Sequence, residues 1–426
     1  MSTDWLSVTI ADLRQRGEVD LRTGPFGTQL HAREYVSDGV PVVNVRNIGY
    51  GDIRTDGLVF VSEETTERLS QHKLEANDIV FGRKGAVERH AFVQRQQRGW
   101  LQGSDCLRVR FAAGSVCPRF VSYFLMTPDH QRWMQNQCSH GATMASLNQD
   151  IICRIELPLP PLPTQRKIAS ILSAYDSLIE NNLRRIGILE EMAQATYREW
   201  FVHSRFPGHK NAKMVDSPLG TIPEGWTAGS LSDLADVNPV SLSPRRPPDE
   251  IAYIDIASVA RGSVGPVRRM PFAEAPGRAR RVVRNGDILW STVRPNLRAY
   301  ALILHPEANL IASTGFAVIS GTRAPFTYLY SALTTDGFVS YLVNHATGSA
   351  YPAVSARDIG ASPIICPEAG LLAEYDGLTR PILELRHLLA VQTGKLRETR
   401  DLLLPKLISG ELDVSDLEIA MPEVAA

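Results

Sequence analysis

The chain has 426 residues, 44% hydrophobic and 21% charged, with 45 Lys and Arg against 46 Asp and Glu, the balance of a soluble protein of two or three domains. No apolar run approaches the roughly 18 residues of a membrane span, and Met1-Ser2-Thr3-Asp4 lacks the basic and apolar regions of a signal peptide. The five cysteines (Cys106, Cys117, Cys138, Cys153, Cys366) are odd in number and have no Cys-x-x-Cys spacing, which favours reduced thiols over a disulfide framework or a zinc site.

In chain order, the first 160 residues read as β-rich. Short apolar runs, Val40-Pro41-Val42-Val43-Asn44-Val45, Asp78-Ile79-Val80-Phe81 and Leu107-Arg108-Val109-Arg110-Phe111, are split by Gly, Asp and Asn turn signals. Gly24-Pro25-Phe26-Gly27-Thr28-Gln29 is expected to be a tight turn presenting an aromatic and a polar side chain, and helical character follows near 119–137. Pro158-Leu159-Pro160-Pro161-Leu162-Pro163 then forms a stiff lead-in, with Thr164 as N-cap of a helix running to about Phe201. A linker at 206–224 precedes a second β-rich stretch at 225–367, with helical character near 326–344. A second helix is expected from about Pro381, in its first turn, to Leu404. The acids of the tail, among them Glu411, Asp413, Asp416, Glu418 and Glu423, face no Lys or Arg in sequence.

Both helices carry a heptad. In the first, Leu172, Ile179, Ile186, Ala193 and Trp200 form one row, and Tyr175, Asn182, Leu189 and Thr196 the other. In the second, Tyr375, Ile382, Leu389, Leu396 and Leu403 run beside Leu378, Leu385, Gln392 and Thr399. Two stripes of one period are best buried against each other, and Asn182 at a core position would fix register at some cost in stability. Gly187 in the helix interior costs up to about 1 kcal/mol relative to Ala.

The chain also repeats itself at an offset of about 208 residues. Asn77-Asp78-Ile79-Val80 returns as Gly286-Asp287-Ile288-Leu289, Gly141-Ala142-Thr143 as Gly348-Ser349-Ala350, and Asp150-Ile151 as Asp358-Ile359. A module carried twice, each with a helix behind it, suits two similar targets at a fixed separation. If the helices pack antiparallel, a pseudo-twofold axis relates the halves. Each module holds a local cationic stretch: seven Lys and Arg with two acids from Arg83 to Arg110, and eleven arginines with five acids from Arg245 to Arg298. Catalytic patterns are missing. There is no G-x-x-x-x-G-K-[ST], H-E-x-x-H or G-x-S-x-G, and Asn238-Pro239-Val240 falls short of an adenine-methyltransferase Asn-Pro-Pro-aromatic motif.

The entry Pro158–Pro163 followed by Thr164-Gln165-Arg166-Lys167-Ile168-Ala169 resembles the central conserved region of Type I restriction-modification specificity (S) subunits. The ending Leu402-Leu403-Leu404-Pro405-Lys406-Leu407-Ile408-Ser409-Gly410-Glu411-Leu412 resembles their distal conserved region. Gly24-Pro25-Phe26-Gly27 with Tyr35, Gly39-Val40-Pro41 and Asn47-Ile48, and Gly286 through Asn296, look like target-recognition segments. The resemblance implies an α+β fold of two tandem target-recognition domains separated by two long conserved helices, packed as an antiparallel coiled coil. The expected bounds are 1–160 and 225–367 for the recognition domains, 161–205 and 368–410 for the helical regions, 206–224 for the linker and 411–426 for the acidic tail.

The resemblance further implies a non-catalytic, cytoplasmic subunit of a bacterium or archaeon. Each domain would read one half of a bipartite asymmetric site on double-stranded DNA, while the helices set the spacer and dock two methyltransferase (M) subunits. Two restriction/translocase (R) subunits would join in a full restriction system. S-adenosylmethionine, ATP and Mg belong to those partners, with no cofactor or metal in this chain. A helix of 24 residues spans roughly 36 Å, close to one turn of B-DNA. Candidate DNA-binding residues are Gln29, Asn44, Arg46, Arg83, Lys84 and Arg89 in the first module, and Arg261, Arg268, Arg294, Asn296 and Arg298 in the second. Arg suits guanine and Asn or Gln suits adenine, while phosphate contacts supply sequence-blind affinity. Leu172, Ile179, Ile186, Ile382, Leu389 and Leu396 are the expected partner-binding and helix-seam residues. Three other readings remain open on sequence alone: an orphan subunit of a methylation-only system, a coiled-coil scaffold that never touches DNA, and an enzyme of unfamiliar motif.

Overall fold

In the computed structural model, residues 5–27, 29–138, 145–243, 245 and 247–419 are described, and the chain forms two units, Met1–Glu180 with Thr393–Ala426 and Asn181–Gln392.

The first unit opens with β1 (Leu6–Thr9) and α1 (Ile10–Gln15), whose start is closed by a Thr9–Asp12 capping box. Then come β2 (Val19–Thr23), β3 (Tyr35–Val36), β4 (Val40–Val43), β5 (Val59–Val61), α2 (Glu63–Arg68), β6 (Ile79–Gly82), β7 (His90–Phe92), β8 (Leu101–Gln102) and β9 (Cys106–Phe111). Helices α3 (Pro118–Leu125), α4 (Pro128–Cys138) and α5 (Gln149–Cys153), strand β10 (Glu156–Leu159) and the start of α6 (Leu162–Tyr197) complete it. One antiparallel sheet runs β2-β9-β6-β7, a second runs β3-β5-β4-β8 with β4 and β8 parallel, and β1 pairs with β10. The apolar run Ile79-Val80-Phe81 does not alternate with polar residues because both of its faces are covered. Ile79 and Phe81 join the core with Leu13, Val121 and Ile152 from the helices, while Val80 meets Val43 and Ile48 on the other side.

The second unit begins with the end of α6 and repeats the plan. A hairpin of β11 (Met214–Ser217) and β12 (Gly220–Pro223) occupies the segment between the modules. It is followed by β13 (Thr227–Ser230), β14 (Ala235–Val237), β15 (Glu250–Ile254), β16 (Val259–Ala260), β17 (Ser263–Val264), β18 (Arg268–Pro271), β19 (Ala279–Val282), β20 (Ile288–Ser291), β21 (Tyr300–Leu302), β22 (Leu310–Ser313) and β23 (Phe316–Gly321). Helices α7 (Phe326–Leu333), α8 (Asp336–His345) and α9 (Ala356–Gly360), strand β24 (Pro363–Cys366) and α10 (Ala369–Ile408) follow. The sheet β14-β23-β20-β21 has the order of β2-β9-β6-β7, and the parallel pair β15·β22 matches β4·β8. Ile288 and Trp290 point to the helical core and Leu289 to the opposite one, as Ile79, Phe81 and Val80 do in the first unit.

The repeated sequence anchors have structural causes. Asn77 and Gly286 both take the left-handed conformation, which Asn and Gly tolerate best. Asp78 and Asp287 then accept backbone N–H bonds from Glu75 and Arg284, at 2.8 and 2.7 Å, to close equivalent turns. Gly141-Ala142-Thr143 lies outside the described residues.

The helices correct several expectations. Helix α6 starts at Leu162 rather than after Thr164, which is buried in its first turn. Helix α10 starts at Ala369, so Pro381 sits in its interior instead of its first turn. There it deprives the Gly377 carbonyl of its usual donor, at about 3 kcal/mol. The two helices run antiparallel in each unit: Arg400 pairs with Asp176 in the first, and Arg386 with Glu190 in the second. The row Tyr375, Ile382, Leu389 does face inward, but Leu378 and Leu385, expected beside it, are 49% and 39% exposed. Thr379, Arg386 and Thr393, one position further on, are buried in their place. Apolar periodicity selected the leucines, whereas the buried slots hold polar groups, of which Arg386 bonds across to α6. Asn182, as its core position suggested, donates to Gln392 Oε1 at 3.2 Å.

The tail also differs from a free acidic segment. Val414 is buried beside Phe120, Ile168 and Leu407, and Glu411 pairs with Lys406 at 3.1 Å.

Candidate nucleic-acid interface

In the first unit β2, β4, β6 and β8 all finish at one end of the two sheets, where β7 and β9 begin: Thr23 lies opposite Leu107, Gly82 opposite Cys106, and Val43 beside Gln102. Loops 24–30, 44–50, 83–89 and 103–105 therefore emerge together. Their packing is close. A Cβ at Gly24 would lie 1.9 Å from the Gly103 carbonyl oxygen, so only glycine fits there. The Arg83 N–H donates to the Asp105 carbonyl at 2.8 Å, and Gly85 N–H to Ala145 at 3.3 Å.

The second unit has the same loop end. Thr292 N–H and its hydroxyl both donate to the Gly315 carbonyl, each at 2.9 Å. Arg294 N–H donates to the Pro352 carbonyl at 2.7 Å, the counterpart of the Gly85–Ala145 bond. Gly85 is left-handed, and Arg294 adopts that conformation at the matching place with φ +50°. Arg298 is left-handed too, so this loop stores strain at two non-glycine residues. Thr347 and Ala353 exchange both backbone hydrogen bonds, at 2.8 and 2.9 Å, and hold out a loop with Tyr351 70% exposed at its tip.

Several expected residues gather at these loop ends. Arg83 lies over the Phe26 ring, 5.1 Å from its centroid, and Lys84 is 3.5 Å from Asp105. Gln29 is exposed in the neighbouring loop, where its carbonyl accepts from Arg68 at 2.8 Å. Asn44 is half-buried against Gly103, and its N–H donates to Asn47 Oδ1 at 3.1 Å, so it shapes its turn. Arg294 lies 4.7 Å over the Tyr351 ring and donates to the Ala350 carbonyl at 3.4 Å, with Asn296 exposed close by.

The others have different neighbours, Arg46 and Arg89 within the same loop end and the rest away from it. Arg46 is exposed beside Gly57. Arg89 lies 5.0 Å over the Tyr50 ring with Glu88 at 3.9 Å. Arg261 borders a cleft of about 250 Å³ with Glu190, Tyr300 and Tyr330 on the helical flank. Arg298 pairs with Asp336 at the start of α8, and Arg268 stands on the edge strand β18. The cationic stretches counted in sequence are partly neutralised. Arg108 is buried against Asp20, Arg110 pairs with Asp78, Arg98 with Glu75, Arg269 with Glu307 and Arg278 with Asp255. Burial and paired bonds to aspartates make Arg108 and Arg110 structural, while Arg98, Arg269 and Arg278 stay largely exposed in surface ion pairs.

Of the seam residues, Leu172, Ile179 and Leu389 are buried, and Ile186, Ile382 and Leu396 are half-buried. What α6 and α10 leave exposed in the second unit is a different stripe: Ile188 and Met192 on α6, and Leu378, Leu385 and Leu388 on α10. In heptad terms these residues flank the seam on one side of an antiparallel pair. Phe26 is legible in sequence as the aromatic presented by its turn, whereas Tyr50 and Tyr351 carry no signal there, because a lone exposed aromatic has no periodicity. Among the described residues no group of three or more His, Cys, Asp or Glu gathers to hold a metal, and no helix is long and apolar enough to cross a membrane.

A family model described as the Type I restriction modification DNA specificity domain matches residues 19–191. The Type I restriction enzyme MjaIX specificity subunit of Methanocaldococcus jannaschii is 27% identical over 326 residues, 71% of each chain. The HindI specificity subunit of Haemophilus influenzae is 20% identical over 87% of this chain and 94% of its own. In fold, the Type-I restriction-modification system S subunit from M. genitalium superposes with a TM-score of 0.62 at 15% identity, covering 95% of this chain and 96% of that one. With the helical motifs and the duplicated α+β plan already described, these comparisons make the chain similar to Type I restriction-modification specificity subunits, in sequence over most of its length and in fold over nearly all of it.

Proposed function

We propose that this chain is the non-catalytic DNA-recognition subunit of a Type I complex, each module reading one half of a split, asymmetric site on double-stranded DNA. The observation that carries the reading is the recurrence, in both units, of one loop anchored by the same backbone hydrogen bond and carrying cationic side chains (exposed Lys84 with half-buried Arg83; exposed Arg294). Cations at such a loop end supply salt-dependent phosphate affinity, and a few side chains then discriminate base edges.

The antiparallel helices would set the spacer. The exposed stripe of Ile188, Met192, Leu378, Leu385 and Leu388 is a suitable docking face for helices of a methyltransferase subunit, since water-exposed apolar rows on a helix pair favour burial by a partner. Two such subunits, with restriction/translocase subunits in a full system, would bring S-adenosylmethionine, ATP and Mg to a cytoplasmic complex. The test is co-expression with a Type I methyltransferase subunit, followed by single-molecule sequencing for methyladenine. Two short defined halves around a fixed gap support the reading. A folded complex with no methylation, together with binding to DNA that is insensitive to salt, would favour a scaffold.

A further inference from the structure

Two arginines at the loop ends differ from the rest. Arg83 and Arg294 have no carboxylate within ion-pair distance among the described residues, and each lies on an exposed ring: Phe26, 52% exposed, at 5.1 Å, and Tyr351, 70% exposed, at 4.7 Å. Other stacked arginines are occupied or enclosed. Arg119 and Arg380 are tied to Asp176 and Asp376, Arg89 has Glu88 beside it, and Arg280 lies on the half-buried Phe272.

The two pairs are not copies of one ancestral contact. Arg83 corresponds to Thr292 and Arg294 to Gly85, and the rings come from different loops, Phe26 after β2 and Tyr351 before α9. The same arrangement has been assembled from different positions at the same end of each module. It is held firmly in both. Arg83 is fixed through its N–H to Asp105, and Arg294 through its N–H to Pro352 in a left-handed conformation that this site imposes.

We propose that Arg294 with Tyr351, and Arg83 with Phe26, are the guanine-reading couples of their respective modules: the arginine reads a guanine edge, and the ring is its positioning residue. This rests on the DNA-recognition reading above. A guanidinium presents a planar fork of donors that matches guanine O6 and N7. A long side chain ordered before binding loses less entropy when it engages, and the ring supplies that order without neutralising the charge, as a carboxylate would.

The experiment is the methylome of cells carrying the chain and a Type I methyltransferase subunit that co-purifies with it, compared across Arg294→Lys, Tyr351→Leu and Tyr351→Phe, and across Arg83→Lys and Phe26→Leu. All four positions are exposed or half-buried, and retained co-purification reports folding. Arg294→Lys keeps the charge but loses the fork, so it should relax one G·C pair in one half of the site, lowering discrimination there about ten-fold or more. Tyr351→Leu should relax the same base pair, while Tyr351→Phe, which keeps the ring face, restores it. Arg83→Lys and Phe26→Leu should relax one G·C pair in the other half only. The couple is overturned if Arg294→Lys lowers methylation evenly with an unchanged motif, which would mark a phosphate contact, or if Tyr351→Leu leaves the affected base pair as specific as before. A wild-type complex that yields no split motif overturns the recognition reading itself, and the couples with it.

Discussion

Arg386 Nε donates to Glu190 Oε1 at 2.7 Å, joining α10 to α6 inside the second unit, and the same guanidinium donates to the Gly262 carbonyl. The arginine is buried, whereas 42% of the Glu190 side chain remains exposed. The two partners therefore carry unequal risk. Glu190→Ala strands a buried cation on one carbonyl and should cost about 3 kcal/mol, while Arg386→Met leaves a carboxylate that water can reach and should cost about 1 kcal/mol. Scanning calorimetry of the two variants checks the order; equal losses would contradict it.

Arg294 holds a left-handed backbone where the first unit uses Gly85. Arg294→Gly should be neutral or stabilise by up to about 1 kcal/mol, because relief of that strain outweighs the added freedom of the unfolded chain. The same variant should bind DNA more weakly and with a shallower salt dependence. Gly85→Ala should instead destabilise by about 1 kcal/mol. Denaturation midpoints together with a salt-series binding titration separate the two effects.

His90 is buried with Nε2 at 2.9 Å from the Ser122 hydroxyl, and burial, with His130 and Arg119 nearby, pushes its pKa down to about 3. Burial likewise brings His130 to about 4. Both rings stay neutral in the folded state while the unfolded chain protonates them from about pH 6.5 downward. The unfolded state then binds more protons, so their stabilising contribution, complete above that pH, is lost as pH falls toward 4 and 3, by up to about 1.4 kcal/mol per pH unit for each ring. The melting temperature should drop between pH 6.5 and 4.5, and a His90→Gln, His130→Gln variant should show a flatter profile. Identical slopes would assign the acid sensitivity to other groups.

Leu385 and Ile188 are exposed on one side of the helix pair. Changing both to Glu should leave the melting temperature within about 0.5 kcal/mol equivalent, as expected of exposed positions. It should abolish co-purification with a methyltransferase subunit. Retained co-purification would move the docking face elsewhere.

The duplication, the two long helices and the short two-sided strands were legible in the sequence, because each follows from local pattern. Asn77 and Gly286 mark left-handed turns, Asp78 and Asp287 close them, and the runs after them are apolar enough for strands covered on both faces. The inward rows of α6 and the row Tyr375, Ile382, Leu389 of α10 follow from a seven-residue period in the same way. Tertiary structure alone decided which cations are free. Arg108, Arg110 and Arg278 look no different in sequence from Arg83 and Arg294, yet the first three face carboxylates brought from 23 to 88 positions away, and the last two face rings and solvent. It also decided that Thr379 and Arg386, rather than Leu378 and Leu385, occupy the buried row of α10. Hydropathy ranks side chains one at a time, whereas a buried arginine is stable only where a partner completes its hydrogen bonds, and partners are assembled by the fold.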